Sequence, residues 1–216
     1  MKRGKGEAID FNPKILYCKN MHGKTFVFFG IVGSGKGTQV KLLQEFLKGH
    51  DGRECVYAGT GEGFRAILES GSYAGQLLQE KMHQGHLIDD FFANAIVADI
   101  LSSKISPEKH LIVDGYPRTV AQSEVFEEMM KFYKHKDIKI IFIELSKEEA
   151  KKRNLLRGRH DDTEEGLEKR FEEYDKNVIP AMNYFKGKPG YTIYQVNGAQ
   201  KMEDVHKDIL RVIKLA

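Results

Sequence analysis

Short, continuous apolar runs alternate along this chain with segments whose apolar residues recur every three or four positions. The runs are "KTFVFFGI", "RECVYAG", "KHLIVDGYP", "DIKIIFIEL" and "GYTIYQVNG". Runs this short, without polar alternation, are expected for strands covered on both faces. The helical patterns include "KGTQVKLLQEFLKGH", a long region from Gly61 to Ser103, "SKEEAKKRNLL" and "MEDVHKDILRVI". Strands alternating with helices predict parallel βαβ units, hence a doubly wound α/β sheet. One main domain is expected over residues 24–216, after an N-terminal extension, 1–23, that opens rich in Gly and Lys. Two stretches are expected to move: a helical insertion of about residues 60–87 and a short opening stretch of about 157–162.

Composition narrows the class. Hydrophobic content of 41% and charged content of 30% suit an ordinary globular chain. The formal net charge of +3 is too slight to argue for a nucleic-acid partner. Lys2, Arg3, Lys5 and Lys14 make the start of the chain basic, and a nucleic-acid-binding tail built on them is the weakest of the functional alternatives. No apolar run approaches the length of a membrane span, and the first residues lack the apolar middle of a secretory signal. Two cysteines, Cys18 and Cys55, form neither a disulfide framework nor a metal cluster, which suits a reducing compartment. Cytoplasm is the expected location.

The first motif that carries chemistry is "GIVGSGKGT", Gly30 to Thr38, placed between the first strand and the first helix. Glycines at 30, 33 and 35 let backbone N–H groups turn inward, and the following helix aims its positive end at the same point. Lys36 adds an ammonium for the β- and γ-phosphates. A flexible turn would explain the glycines but not the lysine at this spacing after a strand. A generic phosphate loop has Ser or Thr directly after the lysine, whereas here Gly37 intervenes before Thr38. The "GKGT" form resembles the nucleoside monophosphate kinases, adenylate kinases above all.

"DGYPRT", Asp114 to Thr119, follows the third strand and resembles the adenylate kinase signature "DGFPRT". The carboxyl end of a parallel strand faces the ligand crevice. Gly115 allows close approach of a base, Pro117 fixes the turn, and Arg118 can fork onto a phosphate. Asp114, with Thr38 and Glu62, is the candidate to hold Mg²⁺ through water. "GTGEGFR", Gly59 to Arg65, resembles "STGDMLR"; by that resemblance Thr60 and Gly61 meet the AMP base and Arg65 its phosphate. "GHLIDD", Gly85 to Asp90, resembles the segment whose backbone touches the same nucleotide, with Ile88 matching and His86 replacing a usual lysine. Gln122 matches the glutamine that reads adenine, and an amide both gives and takes hydrogen bonds as an adenine edge requires.

"KKRNLLRGRHDDTEEGLEKR" resembles the family's lid and the helix after it. Arg153 and Arg157 are four residues apart, on one helix face. The resemblance places Arg153 at the ATP adenine, Arg157 at the transferred phosphate, and Arg159 and Arg170 closing onto the phosphoryl group beside Asp161 and Asp162. It adds Gln200 to the ATP side, with Gly33, Ser34, Gly35, Gly37 and Thr38. "DTEE", Asp162 to Glu165, also reads as a helix N-cap with a carboxylate three residues on. Leu167, Phe171, Tyr174 and Val178 are spaced to bury one helix face.

The resemblance covers about residues 24–216. It implies a P-loop three-layer α/β/α fold with a five-stranded parallel sheet, a helical nucleotide-binding insertion and a short lid. The implied activity is reversible phosphoryl transfer from Mg·ATP to AMP, giving two ADP, by a monomer with no nucleic-acid or membrane partner. The lid is too short for the zinc-binding insertion of some relatives, so no structural zinc is expected. Val32 stands where the family has proline and Glu62 where it has aspartate. A UMP/CMP or other monophosphate kinase is the nearest alternative, and a catalytically silent nucleotide sensor another. Lys36, Arg118, Arg159 and Arg170 together argue against the sensor, because binding alone does not need all four.

Overall fold

The computed structural model describes residues 22–83, 88–158 and 162–215. All five apolar runs become strands of one sheet: β1 (Thr25–Gly30), β2 (Cys55–Gly59), β3 (His110–Asp114), β4 (Ile138–Glu144) and β5 (Tyr191–Asn197). Every pairing is parallel, and the order is β2-β3-β1-β4-β5. In β1 all six residues are buried, which explains the absence of polar alternation. Phe26 and Phe28 face one helical layer, with Val40, Leu43 and Leu47 of α1 (Lys36–Asp51) and Val205 and Ile209 of α9 (Met202–Val212). Val27 and Phe29 face the other, made by α4 (Asp90–Lys104), α5 (Val120–Phe132) and α8 (Ile179–Asn183). The expected three layers follow.

The long helical region between β2 and β3 is not one helix. It divides into α2 (Thr60–Glu69), α3 (Tyr73–His83) and α4, with Gly71 at φ 65° turning the chain between the first two. Within α3 only Gly75 and Leu78 are buried among the residues described, so this insertion is anchored lightly.

The chain leaving β1 runs to the β2 edge, while the chain leaving β3 crosses to β4. The loops after these neighbouring strands therefore part, leaving a crevice at the carboxyl ends. Over that crevice come α6 (Lys147–Arg157) and α7 (Glu164–Glu173). In α6, Ser146 caps the first turn by accepting from the Glu149 N–H, and Gly158 ends the helix at φ 66°.

Two local expectations are corrected here. Asp162 does not cap α7; the cap is Thr163, whose Oγ1 accepts from the Gly166 N–H at 3.1 Å. The Asp162 carboxylate is instead taken by arginines, whose charged N–H groups bind it more strongly than a helix N–H would. The single buried face over Leu167 to Val178 is also split. Leu167, Phe171 and Tyr174 pack with Ile31, whereas Val178 packs on the main core. Between them a π-helical turn, Tyr174–Val178, rotates the face by its wider pitch.

Candidate active site

The loop after β1 wraps around its own lysine. Gly33 and Gly35 take φ of 85° and 90°, a left-handed region open to glycine, and Gly35 serves as the α1 N-cap. Lys36 turns back so that Nζ donates to the carbonyls of Gly30 (2.7 Å) and Ile31 (3.0 Å). Burial lowers its pKa to about 8; the Asp114 charge opposes that shift, and Arg118 and Arg157 reinforce it. An ammonium at the P-loop thus feels a carboxylate from the end of β3, an arginine from the loop after β3 and an arginine from the end of α6. Ser34 Oγ is buried and has no hydrogen-bond partner among the described residues. Gly37 and Thr38 are exposed in the first turn of α1.

The loop after β3 is closed by its own bonds. Gly115 sits at φ 74°, and a Cβ there would come 3.1 Å from Arg118 Nη2 and 3.2 Å from Thr60 Oγ1. Its carbonyl accepts from Arg118 Nε (2.8 Å) and from Thr60 Oγ1 (3.1 Å). Thr60 is buried, and this bond ties the start of α2 to the β3 loop. The Tyr116–Pro117 peptide is cis. Gln122 is also buried, and both ends of its amide are used: Oε1 accepts from the Arg118 N–H at 2.7 Å and Nε2 donates to Asp90 at 2.8 Å. Asp90 also accepts from Thr119 Oγ1 at 3.0 Å. Gln122 therefore shapes the loop that carries Arg118, using one N–H and one oxygen lone pair of its amide.

From the lid side, Arg157 forks onto Asp162, Nε to Oδ2 at 3.0 Å and Nη2 to Oδ1 at 2.8 Å. Arg170 Nη2 reaches the same Oδ1 at 3.1 Å. The Asp162 side chain is fully enclosed by this arrangement. Arg153 binds Glu149 (2.8 Å) and the Gly198 carbonyl (3.0 Å), on the β5 side of the crevice. Gln200 stays there too, donating to the Asn197 carbonyl and to Asp208.

Gly61, Glu62 and Arg65 are exposed on α2, and Ile88 is half-buried just before α4. Arg159 and Asp161 of the expected lid, Gly85 and His86 of the nucleotide-binding segment, and the extension through residue 21 lie outside the described residues. The remaining expected residues gather around one crevice, drawn from the carboxyl ends of β1, β2, β3, β4 and β5.

For a divalent cation the candidates are Asp114, Glu62 and Thr38, all oxygen donors of the kind a hard cation prefers. Among the described residues no group of three His, Cys, Asp or Glu forms a metal cage. A donor set this sparse fits an ion carried mostly by phosphate and water.

Three residues at the site were not foreseen from the pattern. Asp90, within "GHLIDD", carries no signal of its own in the sequence, yet it accepts from Gln122 and Thr119. Tyr57 of β2 has burial and the nearby charges of Asp114 and Glu62 pushing its hydroxyl up to about 12; a Cβ on Gly59 would lie 2.3 Å from that hydroxyl. Asn154 is fully buried on α6. Its signal was a polar residue one turn after the equally buried Ala150, on the packed face of a helix.

Comparison with known proteins agrees with this geometry. The family model described as adenylate kinase matches residues 28–189. The chain is 32% identical to an adenylate kinase of Thermosipho africanus, over 87% of this chain and 98% of that protein. It is 32% identical to an adenylate kinase of Bacteroides fragilis, over 87% and 96%. It is likewise 32% identical to adenylate kinase isoenzyme 1 of Gallus gallus, over 88% and 94%.

Proposed function

This chain belongs to the adenylate kinase family and transfers a phosphoryl group between ATP and AMP, and we propose how its own residues divide that work. The observation that carries the proposal is the convergence on Lys36, where charges from the β3 loop and from the lid helix act on a single buried ammonium. An oxygen of the AMP phosphate forms its bond to the γ-phosphorus as the bond from that phosphorus to the β,γ-bridging oxygen breaks. The attacking group is already an anion, so no general base is required. The protein aligns the two nucleotides and stabilises the charge that spreads over the transferring group.

Lys36 and the loop N–H groups of Gly33 to Thr38 hold the ATP phosphates. Arg118 and Arg65 hold the AMP phosphate, with Thr60, Gly61, Ile88 and Gly115 at its nucleoside. Arg157 and Arg170 act on the transferring group, a role also assigned to Arg159, and Arg153 and Gln200 serve the ATP base. Asp162, joined in this by Asp161 in the proposal, holds the arginines beside one another while no phosphate is present, by neutralising part of their repulsion. Gln122 acts through Arg118 by fixing the backbone from which it projects. Asp114, Thr38 and Glu62 would hold Mg²⁺ through water when it is bound with ATP, where it would supply positive charge to the phosphates.

The lightly anchored α2–α3 insertion (about 60–87) and the short lid (about 157–162) are the parts that close, which excludes the water that would otherwise hydrolyse ATP. No helix among the described residues is long and apolar enough to cross a membrane. Two cysteines are too few for a disulfide framework, which suits the cytoplasm as the proposed location, and the proposed working form is a monomer.

A panel of nucleoside monophosphates offered with Mg·ATP tests the assignment. AMP is expected to be turned over fastest. Preference for UMP or CMP would overturn the acceptor assignment, and ATP binding without turnover of any monophosphate would overturn the enzyme.

A further inference from the structure

We propose that Asn154 is a positioning residue for phosphoryl transfer: its amide fastens the phosphate loop to Arg157 and sets the direction in which that guanidinium points. This inference rests on the assignment of Arg157 to the transferring group.

Asn154 stands where a helix of this pattern would carry an aliphatic residue. Its side chain is fully enclosed beside an apolar cluster of Ile31, Ala150, Leu167 and Phe171, with Val32 at its edge. A polar side chain in such a place is tolerated only when its polar atoms are bonded. Here they are. Nδ2 donates to the Val32 carbonyl at 3.0 Å and to the Ala150 carbonyl at 2.7 Å. Oδ1 accepts from Arg157 Nη2 at 2.6 Å. The amide has one workable orientation, because carbonyls only accept and a guanidinium only donates.

The loop is built to admit this group. A Cβ on Gly33 would fall 2.3 Å from Asn154 Nδ2 and 3.0 Å from the Ala150 carbonyl. Glycine at this position therefore serves the α6 contact as well as the turn. On the far side, Arg157 Nη2 is shared between Asn154 and Asp162, and Nε is also on Asp162. Among the described residues Nη1 has no hydrogen-bond partner, so it is the edge left to meet a phosphate oxygen. One amide thereby fixes the middle of the P-loop and the rotation of a cation that belongs to the lid, 122 residues further along the chain from Val32 to Asn154.

The test is a double-mutant cycle with Asn154→Leu, a near match in shape, and Arg157→Ala, read as kcat and as KM for ATP and AMP. Asn154→Leu is expected to lower kcat about tenfold or more while moving the ATP KM by less than about threefold. In the Arg157→Ala background the same change is expected to lower kcat by less than about twofold, because the group it positions is gone. A merely structural asparagine would lower kcat equally in both backgrounds, which overturns the proposal, as does a normal kcat in Asn154→Leu. Should the leucine variant fail to fold, Asn154→Ala, which places nothing beside Gly33, takes its position in the cycle with the same expected outcomes. The unaltered enzyme runs alongside: if it makes no ADP from ATP and AMP, the assigned function fails and carries this inference with it. Normal turnover of the unaltered enzyme with an indifferent Asn154 variant overturns the inference alone.

Discussion

The two ends of the same parallel sheet treat their charges differently. At the amino ends, acids and bases are matched. His110 accepts the Lys24 backbone N–H on Nδ1 at 2.9 Å, and its Nε2 lies 3.1 Å from both oxygens of Asp51. Glu127 of α5 receives Lys131 (2.7 Å), Lys188 and the Tyr184 hydroxyl (2.7 Å). At the carboxyl ends, cations lean on backbone carbonyls: Lys36 on Gly30 and Ile31, Arg118 on Gly115, and Arg153 partly on Gly198. The buried carboxylate there, Asp162, is shared by two arginines. A cation can leave a carbonyl for a phosphate without stranding a charge, whereas leaving a carboxylate strands one. Carboxylate pairing therefore marks the structural charges at the amino ends, and reliance on backbone carbonyls marks Lys36 and Arg118 as cations that can take an anion at little cost.

The largest break in this comparison is expected from Arg170→Ala. Removing one guanidinium assigned to the transferring group should lower kcat by roughly a hundredfold or more. The helix should survive, because Leu167 and Phe171 supply its buried contacts. Steady-state kinetics with a thermal melt decide this. A rate within about threefold of the unaltered enzyme would show that charge at the carboxyl ends is no more functional than charge at the amino ends.

A smaller effect is expected from pH. The free enzyme holds Lys36 at about 8, below its ordinary 10.5, because burial disfavours the ammonium. Above about pH 8 the empty site loses this charge, so kcat/KM for ATP should fall by about tenfold per unit. Bound phosphates favour the ammonium, so the fall in kcat should begin at higher pH. The stability consequence has a fixed sign. Between about pH 8 and 10.5 the unfolded chain binds more protons than the folded one, so this group's contribution to stability rises with pH across that window. Parallel profiles of kcat and kcat/KM check the assignment; identical basic limbs would show that Lys36 does not meet the phosphates.

Much of this was legible in the sequence, for physical reasons. Strands covered on both faces are apolar throughout, as β1 is, so the central runs announced their strands. Edge strand β5, by contrast, keeps Thr192 and Gln195 exposed and buries only Val196. A phosphate loop needs glycines and a lysine at fixed spacing, so "GIVGSGKGT" announced itself too. What escaped was whatever depends on competition between partners. Asp162 fits the pattern of a helix cap, but two arginines outbid the helix N–H groups, and Thr163 caps instead. Gln122 gives no hint in the sequence that Asp90 and the Arg118 N–H each take one bond from its amide. Val178 follows the helical spacing, but the π-helical turn moves it onto another cluster. Asn154 looks like a surface residue in a charged helix, and only packing against the P-loop reveals that it is enclosed.

The smallest expected effect sharpens the comparison from the other end. Glu127 is held at about 2, first by Lys131, then by Lys188 and Tyr184, against an ordinary 4.5. A depressed carboxylate contributes stability above its unfolded pKa and loses it as the pH falls through the folded value, here from about 4.5 toward about 2. The carboxylate is only partly enclosed and its partners are lysines reaching in from solvent, so screening trims the gain. Glu127→Gln should lower stability by about 1 kcal/mol at neutral pH. Urea melts of both proteins should converge as the pH is lowered across that window. Turnover should stay within about twofold of normal, because Glu127 lies with Lys188 beside the amino end of β5, away from every group assigned to phosphate. A loss of kcat comparable to that of Arg170→Ala, with stability unchanged, would erase the distinction between the two ends of the sheet.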